Sequence, residues 1–235
     1  MEETLKSHWY LPYDQVIIKA QAIQPYFAAD IQQFTMVDPW FTSDVNTELL
    51  SNIYLGLKDF SESSLIEEIK WLKILQDAIF TDAVLCYENL NYFVDLGFKN
   101  ETLSTKTFGY SGLAKARHSV KKMIDLLNYV HSAILDPVNE TRLIEVGMPH
   151  ALVLEVANVA AELASIHGEL KILKKQYLLL TQERIGLYNS IWEIISKITQ
   201  AAKIIFANDA ERLAIYNLYD TGDLNTNMKE FMHLN

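Results

Sequence analysis

The quartet Glu230–His233 has the Glu-x-x-His spacing that gives two metal ligands on one helix face. A carboxylate-bridged di-metal site in a helical bundle needs a second such pair and further glutamates from neighbouring helices. The sequence contains no second Glu-x-x-His pair, and this one lies in the polar stretch 221–235. We therefore predict no metal centre of this type.

The histidines also lack the spacing of a zinc site. His118, His131, His150 and His167 are each separated by 13 or more residues. Two zinc ligands on one helix face require a spacing of about four residues. We interpret these histidines as surface or boundary residues and predict no metal and no cofactor.

Three segments resemble nucleophile motifs without completing them. Gly109–Leu113 begins like a nucleophile elbow but has leucine in place of the last glycine, and no strand precedes it. Ser119–Lys122 has Ser-x-x-Lys spacing but no companion motif. Cys86 has no lysine or arginine within a helical turn to activate it. We predict no catalytic residue among them.

Two further groups have a structural and a functional interpretation. Glu155, Glu162, Glu169 and Glu183 recur in steps of seven beside an apolar seam, with Gln176 in the one gap, which predicts ion pairs with a neighbouring helix rather than catalysis. Aromatic residues also cluster around segment 92–110, where they either seal the end of a bundle or line a ligand pocket. The cluster contains Tyr87, Tyr92, Phe93, Phe98, Phe108 and Tyr110.

These candidates lie on segments whose apolar residues recur with helical periodicity. A capping box at Ser64–Glu67 predicts the start of a helix that Gly97 ends. Ser111 is the predicted cap of a helix that stops before Asp136-Pro137. Nearer the N-terminus, we expect helices capped by Asp14 and Ser43, and Pro25 should kink or end the first of them.

The clearest pattern runs from Leu152 to Ile205, where apolar residues alternate steps of four and three. This is a heptad seam, and Arg184 is its one exception. A single helix over 149–206 would be roughly 85 Å long. A reversal near Thr181 would match the other helices in length, but the unbroken register favours one helix. A second capping box, Asn208–Glu211, predicts a short helix that ends near residue 219.

We therefore predict an all-α fold. The architecture would be an antiparallel bundle of about five or six helices, several of them long, with coiled-coil-like packing in the C-terminal half. Residues 1–220 would form a single domain, and 221–235 a polar tail.

The composition limits the classes of partner that the protein could bind. The net charge is −10, and residues 1–100 account for most of it with 15 acidic and 6 basic residues. Such a surface repels phosphate backbones, so we predict no nucleic-acid partner. The single cysteine, the absence of a recognisable signal peptide and the charges within every oily stretch predict a cytoplasmic protein without a membrane span.

Three stretches follow one another between residues 86 and 209. They are Cys86-Tyr87 with Tyr92–Val94 and Phe98; Phe108–Tyr110 with Lys115–Ser119 and Lys122-Met123; and Thr181–Ile185 with Asn189, Ala202–Phe206 and Asp209. In this order they resemble an uncharacterised bacterial family of small helical proteins. The resemblance covers roughly residues 80–220 and implies an all-α fold without implying any activity. The chain departs from the family pattern in lacking a proline after Tyr219.

Three functions follow as hypotheses. The first is a non-enzymatic structural or interaction bundle whose exposed faces bind another protein or a second copy. The second is a membrane-perturbing, pore-forming-like bundle, because the segments Ala151–Ile166 and Ile191–Phe206 are apolar. The third is an enzyme or small-ligand binder with a site at the aromatic cluster near 92–110.

Overall fold

The structure is a computed structural model, and it describes residues 5–58, 62–99 and 106–219. Every regular element in this part of the chain is a helix, which confirms the all-α prediction. The described helices number eight, more than the five or six predicted. They are α1 (Tyr13–Val37), α2 (Ser43–Gly56), α3 (Glu62–Gly97), α4 (Tyr110–Ala116), α5 (Val120–Ile134), α6 (Pro137–Glu145), α7 (His150–Ile205) and α8 (Ala210–Ile215).

The chain divides into two compact units. Of the described residues, unit 1 contains 5–58, Glu62 and 178–219, and unit 2 contains 63–99 and 106–177. Each unit has its own cluster of buried apolar side chains. The predicted single domain over 1–220 stays a prediction, and the predicted tail lies outside the described residues.

The core of unit 1 forms where α1, α2 and the last part of α7 meet. Val16, Phe27, Leu49 and Ile195 are buried at its centre. The apolar face of α1 continues on both sides of Pro25, and the helix does not end there as one of the two predicted outcomes required. Burial of the residues before and after the proline stabilises the helix against the loss of one backbone hydrogen bond.

The core of unit 2 lies between α3, α5 and the first part of α7. Gln76 on α3 faces His167 on α7, with 3.2 Å between Nε2 and Nδ1. Further along α3, Tyr92 lines the same depression as Leu152. Because residue numbers rise on α3 while they fall on α7, these two helices are antiparallel.

One continuous helix, α7, spans 56 residues, and this confirms the preference for one helix over a hairpin. The residues predicted as a single helix from Ser111 to Ile134 instead form α4 and α5. Ser119 accepts a hydrogen bond from the Lys122 amide at 3.4 Å and so caps α5. A side chain that satisfies a free helix amide favours a new start at this position.

Other helix starts also differ from the predictions. Thr42 rather than Ser43 caps α2, and Asp209 caps α8. The α3 helix begins at Glu62, so the predicted capping box at Ser64–Glu67 lies inside the helix. Asp136 caps α6, whose first residue is Pro137. Proline suits this first position because its missing N–H has no helical partner there.

Candidate interaction surface

The candidate metal ligands that the structure describes do not assemble into a site. In the part of the chain that the structure describes, no group of three or more His, Cys, Asp or Glu side chains is placed to hold a metal ion. His118 and His150 are exposed, and His167 contacts Gln76. The quartet Glu230–His233 lies outside the described residues.

The environments of the candidate nucleophiles Cys86, Ser111 and Ser119 do not activate them. Cys86 is buried at 1% exposure. Burial, with a smaller contribution from the negative charge of Glu155, raises the pKa of its thiol to about 11. A thiol held neutral at physiological pH is a poor nucleophile. Ser119 caps α5, and Ser111 is exposed within α4.

The glutamates in steps of seven on α7 form a solvent-exposed face. Glu155, Glu162, Glu169 and Glu183 are all exposed. Glu169 accepts a hydrogen bond from Ser165 at 3.1 Å, and the ion pairs found in the described ranges use other carboxylates. The predicted interhelical ion pairs are therefore not found among the described residues.

The aromatic cluster around 92–110 contributes mainly to the core of unit 2. Tyr87, Phe98 and Phe108 are buried. The Tyr87 hydroxyl donates to the Phe108 carbonyl at 2.7 Å, which fixes the chain ahead of α4. Tyr110 donates to the Asp95 carboxylate at 2.6 Å and ties α4 to α3.

One depression lies beside this cluster. It has a volume of about 300 Å³ and is open to solvent. Its lining combines apolar and polar side chains and shows no convergent set of catalytic groups. The lining residues are Asn89, Tyr92, Phe93, Pro149, Ala151, Leu152 and Glu155.

The outer face of α3 carries a run of exposed apolar side chains. Trp71 and Ile74 are 61% and 71% exposed, and Leu85 and Tyr92 are 53% and 62% exposed. These residues are separated by three, eleven and seven positions, which are close to whole numbers of helical turns, so they share one helix face opposite the core. Ala78 lies between them on the same face and is also exposed. We call these five residues the α3 stripe.

Acidic side chains flank the α3 stripe. Six exposed carboxylates and two lysines lie on the same helix close to it. One lysine pairs with an acid within the helix, so the flank keeps an excess of negative charge. The carboxylates are Glu67, Glu68, Asp77, Asp82, Glu88 and Asp95, and the lysines are Lys70 and Lys73.

The core face of α3 contains Leu72, Ile79 and Leu90, which are all buried. A second apolar series, offset around the same helix, was also present in the sequence. Its signal is that Trp71, Ile74 and Leu85 fall between the members of the core series at their own helical spacing. A helix with two apolar faces has a second surface available for packing.

The helix α7 is the one described helix whose length and composition are compatible with crossing a membrane. Its most apolar 18-residue window has a mean hydropathy of 1.3, and 33% of that window is buried. A core helix of a water-soluble protein has similar properties, so this observation is weak support for a span.

Comparison with known proteins gives no relatives: no protein family, no curated protein and no solved structure matches the chain significantly.

Proposed function

We propose that this protein is a non-enzymatic helical bundle that binds another protein through the α3 stripe. The observation that carries the proposal is the run of large apolar side chains, more than half exposed, along one face of α3. Extended apolar patches on water-exposed surfaces are typical of interaction sites. Tryptophan and tyrosine, both present here, are enriched at the energetic centres of interfaces.

The negative charge on both sides of the α3 stripe indicates the chemical character of the partner. The rim of an interface is polar, and complementary charge on the two rims accelerates association and suppresses wrong partners. The acidic flanks of the stripe favour a partner whose apolar contact residues are bordered by lysine or arginine. An amphipathic helix of this composition fits, because a helix packs its own stripe against a helical face.

The test is substitution of Ile74 by glutamate, which places a charge within the stripe. Ile204 on α7 gives a matched control, because it is the same residue type with 69% exposure against 71% for Ile74. Sedimentation velocity and affinity capture with cross-linking from source-cell extract measure self-association and partner binding. We expect Ile74→Glu to abolish complex formation and Ile204→Glu to retain it.

Two results contradict the proposal. One is a wild-type protein that is strictly monomeric and recovers no partner. The other is equal binding by the two glutamate variants, which would place the interface elsewhere. Melting curves for both variants separate loss of binding from loss of folding.

A membrane-perturbing bundle is a second candidate, supported by the apolar window of α7. This function requires α7 to leave its soluble packing and insert into lipid. Dye release from anionic and neutral liposomes between pH 4 and 8 tests it. We expect leakage if this candidate is right, and its absence under every condition removes the candidate.

A further inference from the structure

Residues 5–9 lie against α7 without forming a helix. The Asn189 side-chain amide accepts from the His8 amide and donates to the Lys6 carbonyl, both at 2.9 Å. Two turns earlier on α7, Gln182 Oε1 accepts from the Leu5 amide at 2.6 Å. All three hydrogen bonds join helix side chains to backbone atoms of the segment.

The spacing of the two amides matches an extended chain. Gln182 and Asn189 are seven residues apart, so they lie on one face of α7 about 10 Å apart. Three residues of extended backbone, from the Leu5 nitrogen to the His8 nitrogen, also span about 10 Å. The pair of bonds to Asn189 uses a carbonyl and an amide two residues apart, as a neighbouring β-strand would.

An aromatic pocket follows the two amides. Trp9 is 6% exposed, and its ring centroid lies 5.5 Å from that of Tyr13 and 5.8 Å from that of Tyr188. The Tyr188 hydroxyl donates to the Gly56 carbonyl at 3.2 Å, which holds its ring in place. The pocket is therefore built by α1, α2 and α7 within unit 1.

We propose that this face of α7 is a peptide-binding site and that residues 5–9 are its competing internal occupant. The ligand class is an extended peptide with an aromatic side chain in the position of Trp9. Gln182 and Asn189 bind only backbone atoms, so they accept any sequence in an extended conformation. The aromatic pocket supplies selectivity. The site is distinct from the α3 stripe, so the peptide-binding proposal and the proposed function are tested independently.

The internal segment sets the affinity for an external peptide. A tethered ligand acts at an effective concentration on the order of millimolar. For an intrinsic dissociation constant in the micromolar range, this competition weakens external binding on the order of a hundredfold or more. A partner peptide therefore binds well only after the internal segment has been displaced.

The experiment uses a fluorescent peptide with the sequence of residues 5–12 and the full chain. His8→Pro removes the amide that donates to Asn189 and keeps Trp9, so it loosens the internal segment while leaving the site intact. Fluorescence anisotropy should show at least tenfold tighter peptide binding to His8→Pro than to wild type. Adding Asn189→Leu to His8→Pro should abolish this binding, as should alanine at the tryptophan of the peptide.

Absence of peptide binding to a folded His8→Pro variant would overturn the proposal. Peptide binding that Asn189→Leu leaves unchanged would also overturn it. Hydrogen exchange on the wild-type chain gives a second measurement that needs no variant. The Leu5 and His8 amides should exchange through a local opening while the interior of α1 stays protected. Exchange of these two amides only by global unfolding would show a segment that cannot be displaced.

Discussion

Arg184 donates from Nη1 to Oε2 of Glu62 at 2.8 Å. The two side chains are 26% and 11% exposed, so the pair is largely shielded from water. Arg184 also places its guanidinium 4.5 Å from the centre of the Tyr13 ring. The single charged residue in the apolar seam of α7 is thus accommodated by a buried acid and an aromatic face.

Replacing Arg184 with methionine should lower the free energy of unfolding by about 3 kcal/mol, because it leaves the buried Glu62 carboxylate unpaired. Glu62 Oε1 and Arg184 Nε already lack hydrogen-bond partners among the described residues, so the pair is incompletely satisfied. Adding Glu62→Leu should therefore recover most of the loss. Urea unfolding of both variants measures this, and a double variant no more stable than the single one would contradict it.

Asp30 connects α8 to α1. Its two carboxylate oxygens accept from Arg212 at 2.6 and 2.9 Å, and Oδ2 also accepts from Tyr216 at 2.7 Å. Burial raises the pKa of Asp30, but the hydrogen bonds from Arg212 and Tyr216, together with the charge of Arg212, outweigh it. The net pKa therefore lies below its usual value.

Replacing Asp30 with asparagine should lower the free energy of unfolding by about 1–3 kcal/mol near pH 7. A carboxyl with a lowered native pKa stabilises the fold above its unfolded pKa of about 3.9, and the stabilisation disappears as the pH falls through the native pKa. The difference in stability between wild type and Asp30→Asn should therefore be constant from pH 5 to 7 and shrink below about pH 4. A difference that grows on acidification would refute the assignment.

Alanine substitutions at three glycines distinguish the energetic cost of backbone strain from the cost of steric crowding. Gly109 and Gly147 have φ values of 71° and 85°, and an added Cβ would lie 2.5 Å from Leu126 Cδ1 at Gly109 but meet nothing within 4 Å at Gly147. We expect alanine to cost about 1–2 kcal/mol at Gly147 and more at Gly109. At Gly168, within α7 and with open space, alanine should stabilise by about 0.5–1 kcal/mol. Thermal unfolding tests this ranking, and equal losses at Gly109 and Gly147 would show that Leu126 moves aside freely.

The Cys86 thiol should resist modification by a thiol reagent in the native state. Burial raises the pKa of this thiol to about 11, so it is neutral at pH 8, and its 1% exposure blocks access. Reaction with a disulfide dye at pH 8 should proceed only at the rate of unfolding and become immediate in denaturant. Cys86→Ala supplies the blank, and prompt labelling of the folded protein would mean that the thiol is accessible.

Much of the fold could be predicted from the sequence because helices are stabilised by local interactions. The seam from Leu152 to Ile205 is one helix in the structure, and Gly97 does end α3. The starts were less accurate, since neighbouring Ser, Thr and Asp residues offer equivalent caps. The choice of Thr42 over Ser43, or of Ser119 as an additional start, depends on which backbone amide each side chain reaches in the folded chain.

The candidate interaction surface was less predictable. Periodicity shows that α3 has apolar residues on two faces but does not say which face another helix covers. The Leu72 and Ile79 face is buried in unit 2, and the Trp71 and Ile74 face is exposed. The docking of residues 5–9 had no sequence signal, because Gln182 and Asn189 are ordinary polar residues of a helix surface.

The sequence by itself determined that this is an all-α protein and where most helices lie, and it favoured a continuous α7 over a hairpin. These properties follow from the 3.6-residue period of apolar side chains and from local capping. The tertiary structure decided which apolar face of α3 stays exposed and which acid meets Arg184. Only the tertiary structure brought the side-chain amide of Asn189 to the backbone of Lys6 and His8. Each of these features depends on residues that are far apart in the chain and come together only when the helices pack. A local sequence pattern does not specify such long-range contacts.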